Sequence, residues 1–132
     1  PPYGRTTTIN RNTGNTAWQV AHGETPDNIR NHPALQGRTI PRTGRAGRVG
    51  TLVTRTLVIA GDPGFTTFPD GRRGSTLRAY DKMTGQELAS VPLPAGASGG
   101  PMTYMLNGKQ YLVLAISGIG FGGELIAFSL PT

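Results

Sequence analysis

The sequence predicts an all-β protein built from β-propeller blades, and three observations support this prediction. First, the 132 residues include 20 Gly and 11 Pro, a content typical of many short elements joined by turns. Second, the apolar runs are short and rich in β-branched residues, which favours strands. Third, a strand–turn–strand pattern recurs along the chain. Repeats with a period of about 40 to 50 residues are typical of four-stranded propeller blades.

Two copies of the repeat align around a turn that ends in Thr-Gly. One copy contains Asn10 to Gly14 and the other contains Asp81 to Gly85, each between two short strands. The Asn or Asp oxygen is expected to accept hydrogen bonds from backbone N–H groups, and the glycine to adopt a positive φ. We therefore predict a hairpin at each copy. Trp18 is predicted to pack between blades, and Asp81 to hold its turn, with a general-base role as the open alternative.

Further strands are predicted between and after these copies. Residues 51–54 and 56–60 are β-branched runs suited to the inner strands of a blade. Leu125 to Phe128 matches Leu77 to Tyr80 and lies 48 residues later, about the length of one blade. A third start of the repeat is therefore predicted near the end of the chain.

Asn107-Gly108 is a dipeptide typical of a two-residue hairpin turn. It predicts a hairpin between strands at 102–106 and 110–117. The second strand is continuously apolar over 111–116 instead of alternating, which predicts that both of its faces are covered.

Residues 1–132 are predicted to form a partial propeller of about two and a half blades. Residues 22–47 contain three prolines and no sustained periodicity, which predicts a long inserted loop. Propellers protect their sheet edges by closing a ring, and this number of blades cannot close one. We therefore expect the chain to be a piece of a longer propeller, with the remaining blades as its partner, and to associate with itself when isolated.

The formal net charge of +6 depends largely on one arginine-rich region. Nucleic acid is not expected as a partner, because no aromatic residues are interleaved with these arginines and the surrounding Pro and Gly indicate a loop. The absence of cysteine excludes disulfides and thiolate sites. No apolar run approaches the roughly 20 residues of a membrane-spanning helix. The arginines of this region are Arg38, Arg42, Arg45, Arg48 and Arg55.

Several chemically active residue types lack the spacing that a site requires. His22 and His32 lie ten residues apart with two acids between them, which is too loose to predict a metal site. Ser98 lacks the Gly-x-Ser-x-Gly pattern of a serine hydrolase. Gly99-Gly100 favours a close approach of the backbone to another surface, with a simple tight turn as the alternative. No catalytic residue is predicted within the chain.

The repeat resembles the tryptophan-docking motif of the pyrroloquinoline quinone (PQQ) dependent alcohol and sugar dehydrogenases. That motif reads Ala-x-Asp-x-x-Thr-Gly-x-x-x-Trp, and both copies here, Thr8 to Trp18 and Ala79 to Ala89, match it imperfectly. Residues 93–96, 100–104 and 107–111 are similar to the last blade of membrane-type quinoprotein glucose dehydrogenases. The resemblance covers nearly the whole chain and implies the C-terminal fragment of an eight-bladed quinoprotein propeller.

The resemblance also implies which residues border PQQ. A Gly-Trp pair contacts the cofactor in related alcohol dehydrogenases, and Gly99 and Gly100 stand at its places here. A second cofactor-lining element resembles Arg48 to Thr51, with Arg48 where relatives carry tryptophan. The implied cofactor-binding residues are therefore Arg48, Gly50, Gly99 and Gly100. The glycine loop at 117–123 lacks the histidine of membrane-type glucose dehydrogenases, which counts against glucose as the substrate.

The activity implied by the resemblance is oxidation of a sugar or alcohol by hydride transfer to the quinone. The catalytic aspartate, the lysine near the quinone carbonyls and the calcium ligands of the family lie upstream of the residues matched here. This chain alone is therefore expected to be inactive, and the resemblance implies a periplasmic location. The alternative, from another functional class, is a non-catalytic propeller scaffold that binds protein partners through its faces.

Overall fold

The computed structural model describes residues 2–131, and their regular secondary structure is almost wholly β. The predicted all-β class is confirmed. The predicted strands at 51–54, 56–60 and 125–128 are present, with bounds that differ by a few residues. In chain order the strands are β1 (Arg5–Ile9), β2 (Thr16–Ala21), β3 (Thr51–Val53), β4 (Leu57–Gly61), β5 (Thr66–Thr67), β6 (Arg73–Asp81), β7 (Glu87–Leu93), β8 (Gly96–Ala97), β9 (Met102–Leu106), β10 (Lys109–Gly118) and β11 (Phe121–Ser129).

The strands form three antiparallel sheets. β3, β4, β6 and β7 pair in that order as a four-stranded sheet, the arrangement of one propeller blade, and β5 pairs with the first residues of β6. β1 and β2 form a separate hairpin. In the third sheet β10 lies between β11 on one side and both β8 and β9 on the other.

The segment between β2 and β3 contains two short helical elements that the sequence analysis did not predict. The helix α1 spans Asp27–Arg30, and a 3-10 turn spans Pro33–Leu35. Proline precedes the first element and opens the second, positions where its missing N–H is tolerated. No helix within residues 2–131 is long and apolar enough to cross a membrane.

Both predicted repeat turns are held by side-chain oxygens, as expected. Asn10 Oδ1 accepts a hydrogen bond from the backbone N–H two residues later at 2.9 Å. Asp81 Oδ1 accepts from the backbone N–H groups of Met83 and Thr84, each at 2.8 Å. The glycine that ends each turn has a positive φ, 74° in the first and 76° in the second. Bonds from the N–H groups of Thr84 and Met83 also lower the pKa of the Asp81 carboxyl.

The hairpin at Asn107-Gly108 is confirmed. Both residues have positive φ, 51° and 75°, and β9 pairs with β10 directly across the turn. Asn is among the few non-glycine residues that tolerate this conformation, so the turn chemistry explains the register of the pair.

The prediction that both faces of β10 are covered is confirmed for one face and only partly for the other. Leu114 and Ile116 are buried, at 1% and 0% exposure, but Val113 and Ala115 on the opposite face are only partly buried. The apolar run shows what this strand is able to bury. It does not show which segment supplies the cover, and residues 2–131 cover one face more fully than the other.

The main core lies between the four-stranded sheet and the sheet around β10. Side chains of β6, β7 and β10 meet there with the alanines next to and within β8. The small alanine side chains let the two sheets approach closely, which brings the loops before β3 and β9 together. The buried members are Leu77, Leu93, Ala95, Ala97, Leu114 and Ile116.

We predict that the 132-residue chain associates with itself in solution. β9 exposes Met102, Met105 and Leu106 at 55%, 63% and 53%, and Leu125 of β11 is 76% exposed. Such apolar side chains on sheets with unpaired edges favour association. Light scattering should give a mass that rises with protein concentration. A folded chain that stays monomeric at all concentrations would contradict the prediction.

Candidate functional site

An open cleft of about 570 Å³ lies where three chain segments meet. Gly4 to Thr7 come from β1 and the residue before it, Gly47 to Thr51 lead into β3, and Ser98 and Gly99 precede β9. The remaining lining residues are His22, Arg45 and Pro63. A volume of this size is within the usual range for small-molecule sites.

The glycines at the cleft permit a close contact between two backbones. A Cβ atom on Gly50 would overlap the Gly100 backbone, with the Gly100 nitrogen only 2.9 Å away. A Cβ on Gly100 would meet only the Gly50 Cα, at 3.6 Å. Neither glycine has a positive φ, so the reason for glycine at position 50 is lack of space and not turn conformation.

Three arginines bring positive charge to the cleft, and its lining contains no Asp or Glu. Arg5 and Arg48 are exposed, whereas Arg45 is partly buried. The Arg45 guanidinium donates to the Phe65 carbonyl oxygen and, at 3.3 Å, to Thr66 Oγ1. The cleft therefore suits an anionic ligand better than a cationic one.

A buried ion network lies beside the cleft, centred on Arg78 of β6. Arg78 Nε and Nη2 donate to the two carboxylate oxygens of Asp62, both at 2.7 Å, and each side chain is 3% exposed. Arg78 also donates to Glu24 at 2.8 Å and to Glu87 at 3.0 Å. Burial alone would lower the pKa of Arg78, but hydrogen bonds and charge from Asp62, with Glu24 and Glu87, raise it above its ordinary value.

His22 joins this network to the cleft. Its Nε2 lies 3.0 Å from the Gly61 carbonyl oxygen and 3.7 Å from Asp62 Oδ1. Because a carbonyl oxygen only accepts, Nε2 is the nitrogen that carries the proton when the ring is neutral, and in that tautomer Nδ1 accepts from the Tyr80 hydroxyl at 2.8 Å. Burial raises the pKa of Tyr80 to about 12, so this hydroxyl keeps its proton.

The network fixes the segment after β2 against the four-stranded sheet. His22 and Glu24 come from that segment, and Arg42 from the same segment donates to Glu87 of β7 at 2.8 Å. Every carboxylate in the network accepts a hydrogen bond from an arginine, and none of the three acids lines the cleft. The network therefore positions one wall of the cleft.

A family model described as "PQQ: Glucose/ethanol/alcohol dehydrogenase, beta-propeller domain" matches residues 1–112. The chain belongs to this family. A probable quinate dehydrogenase (quinone) from Xanthomonas campestris pv. juglandis is 37% identical over 99% of the chain. A quinoprotein glucose dehydrogenase from Gluconobacter oxydans (strain 621H) is 32% identical over 99%. In both cases the match covers 16% of the relative.

A solved structure supports the fold of this PQQ family member. The quinohemoprotein alcohol dehydrogenase from Comamonas testosteroni superposes with a TM-score of 0.62 and 22% sequence identity. The superposition covers 95% of this chain and 16% of that one. The predicted propeller fold and the predicted family are thereby confirmed, and the chain spans about 16% of the length of the relatives it matches.

The four residues that the resemblance assigned to PQQ lie together in the structure. Arg48, Gly50 and Gly99 line the cleft, and the Gly100 backbone lies against Gly50. Their role toward the cofactor stays a prediction. The close backbone approach predicted for Gly100 exists, and Gly50 is its partner within this chain.

Other residues considered in the sequence lie away from the cleft. The exposed His32 accepts a hydrogen bond from the Ala34 N–H at 3.2 Å and caps the 3-10 turn. Asp81 is engaged in its turn, where its hydrogen bonds explain the residue without a general-base role. No group of three or more His, Asp or Glu residues within 2–131 is placed to hold a metal ion.

The sequence analysis missed Arg5 and the Arg78 network. Arg78 interrupts an apolar strand, and Asp62 directly follows another, so two opposite charges stood within or next to apolar runs. That pattern is a signal for a buried ion pair. Arg5 had no such signal, because only the tertiary fold brings β1 to the cleft.

Replacing Gly50 with alanine is expected to lower the free energy of unfolding by about 1–3 kcal/mol, since the new methyl group forces two backbones apart. The matched control is Gly100→Ala, whose Cβ meets nothing closer than 3.6 Å. Its effect is expected within about 0.5 kcal/mol. Urea unfolding followed by the fluorescence of Trp18, the single tryptophan, measures both. Equal losses in the two variants would contradict lack of space as the reason for glycine at position 50.

Proposed function

We propose that the chain is the C-terminal part of a PQQ-dependent dehydrogenase that oxidises a hydroxyl group of a sugar, alcohol or hydroxy acid. The observation that supports this most strongly is the family match over residues 1–112. The relatives include dehydrogenases named for glucose, quinate, glycerol and 1-butanol, of which the glucose and quinate enzymes are named as quinoprotein or quinone enzymes. This membership supports the dehydrogenase and not the non-catalytic scaffold.

The cleft fits PQQ in its chemistry. PQQ is a flat quinone that carries carboxylates, and the cleft combines glycine-lined walls with arginines and contains no competing carboxylate. Gly50, Gly99 and Gly100 would border the cofactor with backbone atoms. When bound, PQQ supplies the two-electron acceptor for the hydride of the substrate.

This chain's own part in the reaction is to shape and hold the site. The Gly50–Gly100 contact fixes the distance between two loops that face the cofactor. The Arg78 network holds the wall that carries His22, which lines the cleft while both its ring nitrogens are occupied by protein partners. Proton abstraction and calcium binding are assigned to residues outside this chain.

The test uses the full-length protein that carries this chain, supplied with PQQ, calcium and an artificial electron acceptor. Glucose, glycerol, 1-butanol and quinate form the substrate panel. We expect PQQ-dependent reduction of the acceptor with at least one of them, and none with the 132-residue chain alone. No PQQ binding and no reduction by the full-length protein would overturn the proposal. Turnover by the isolated chain would overturn the assignment of catalysis to other residues.

The proposed location of the full-length protein is the periplasm, on the basis of the family resemblance. Fractionation of the native host, with PQQ-dependent activity measured in each fraction, tests it. Activity confined to the cytoplasmic fraction would contradict it.

A further inference from the structure

The three arginines of the cleft have no acidic partner within residues 2–131, which is true of only half of the eight arginines elsewhere. Within residues 2–131, none of Arg5, Arg45 and Arg48 lies within ion-pair distance of a carboxylate, whereas four arginines elsewhere do. Those four are Arg30, Arg42, Arg72 and Arg78. The cleft thus concentrates uncompensated positive charge where a ligand is able to enter.

Arg48 is the one of the three best placed to meet a ligand. The Arg45 guanidinium is already held by Phe65 and Thr66. Arg5 lies on β1, outside the segment that carries Gly50. Arg48 is exposed, lines the cleft, and stands two residues before Gly50, which touches Gly100.

We propose that the Arg48 guanidinium binds the carboxylate of the substrate, so that the protein acts on a hydroxy acid instead of a neutral sugar or alcohol. This inference rests on the proposed function. A planar guanidinium offers two parallel N–H donors that match a carboxylate, and such charge-assisted pairs are stronger than neutral hydrogen bonds. A neutral polyol gains no such pair.

The exposure of Arg48 favours the substrate over the cofactor as the source of the carboxylate. A ligand that exchanges in every turnover needs a cation that solvent reaches, while the glycine backbone already borders the proposed cofactor position. A carboxylate that enters the cleft loses part of its hydration. The nearby positive charges of Arg5 and Arg45 offset the free-energy cost of that loss.

The test compares the full-length protein with Arg48→Gln, Arg48→Lys and a charge-matched control, Arg55→Gln. Arg55 is exposed in the turn between β3 and β4 and does not line the cleft. Three quantities are measured: the affinity for PQQ by titration, the thermal protection of the cofactor-free protein by quinate and by its uncharged methyl ester, and kcat/KM for quinate and glycerol.

Arg48→Gln is expected to lower quinate affinity and kcat/KM for quinate by about 10- to 100-fold, the loss of one charged hydrogen-bonded pair. Arg48→Lys should retain part of both, because it keeps the charge and loses the paired donors. The loss for quinate should exceed any change in PQQ affinity, methyl-ester binding or glycerol oxidation, and every quantity should stay unchanged in Arg55→Gln.

Two results would overturn the inference. If Arg48→Gln lowers PQQ affinity while quinate protection is unchanged, the carboxylate is the cofactor's. If quinate and its methyl ester protect the unmodified protein equally, no carboxylate is recognised. PQQ titration and thermal protection both measure binding, so they test the role of Arg48 without any turnover. Absence of PQQ-dependent turnover would instead overturn the proposed function, so the two failures are distinguishable.

Discussion

Arg78→Ala is expected to lower the free energy of unfolding by about 3–5 kcal/mol, the usual effect of removing one partner of a buried ion pair. Asp62 would keep its negative charge at 3% exposure with both of its short hydrogen bonds to Arg78 lost. Glu24 and Glu87 are more exposed, at 36% and 26%, and are able to regain water. The loss is therefore expected to come chiefly from Asp62.

The measurement is urea unfolding of the 132-residue chain, followed by Trp18 fluorescence at a concentration below that at which it associates. Arg72→Ala is the matched control, because Arg72 and Asp70 also lie 2.7 Å apart but are 74% and 50% exposed. Exposed pairs contribute about 0–1 kcal/mol. Equal losses in the two variants would show that burial of the Arg78 network has no energetic consequence.

A double variant separates the lost pair from the stranded charge. Arg78→Met combined with Asp62→Asn removes both charges, and it is expected to be more stable than Arg78→Ala alone, because no full charge remains buried without a partner. A double variant less stable than Arg78→Ala would indicate that the whole network acts as one unit that tolerates no substitution.

The elements that the sequence predicted are those set by local chemistry. Asn107-Gly108 determines its turn through two positive φ angles, and Asp81 holds its turn through atoms two and three residues away. These contacts need no knowledge of the rest of the fold. The hairpins and turns were therefore predictable from short windows of sequence.

The features that escaped prediction depend on residues distant in the chain. Glu24 and Arg78 are 54 positions apart, and His22 and Tyr80 are 58 apart. Each residue alone had a simpler explanation, as a loop acid, a loop histidine or a strand residue. Their meeting depends on how the segment after β2 lies on the sheet, which no local pattern specifies.

The candidate site was predicted from the sequence only in part. Arg48 and Gly99 came from resemblance to a family motif, and the structure places both at one cleft. The resemblance indicated which positions contact the cofactor in relatives. It gave no reason to expect that Gly50 has no space for a side chain because Gly100 lies against it, which only the assembled sheets show.

Trp18→Ala is expected to lower the free energy of unfolding by about 3–5 kcal/mol, the range for truncating a buried large aromatic side chain. Trp18 is 8% exposed and packs with Val58 and Tyr80. Its Nε1–H donates to the Lys82 carbonyl oxygen at 2.9 Å. These contacts join the β1–β2 hairpin to the four-stranded sheet, so their loss is expected to free the hairpin first.

Trp18→Phe provides the graded comparison, because it keeps much of the aromatic packing and removes the hydrogen bond to Lys82. It is expected to lose less than Trp18→Ala. Circular dichroism follows unfolding of all variants, since the fluorescent residue itself is replaced. If Trp18→Ala unfolds at the same urea concentration as the unmodified chain, the indole does not hold the hairpin to the sheet.

Gly85 tests the same contact from the other side. A Cβ on Gly85 would lie 2.6 Å from Cδ2 and Cε3 of the Trp18 indole, and Gly85 also has a φ of 76° that disfavours other residues. Gly85→Ala should therefore destabilise the chain through both the clash and the backbone strain. In the Trp18→Ala background only the strain remains, so the loss from Gly85→Ala should be smaller there. An equal loss in both backgrounds would mean that Trp18 and Gly85 do not pack against each other.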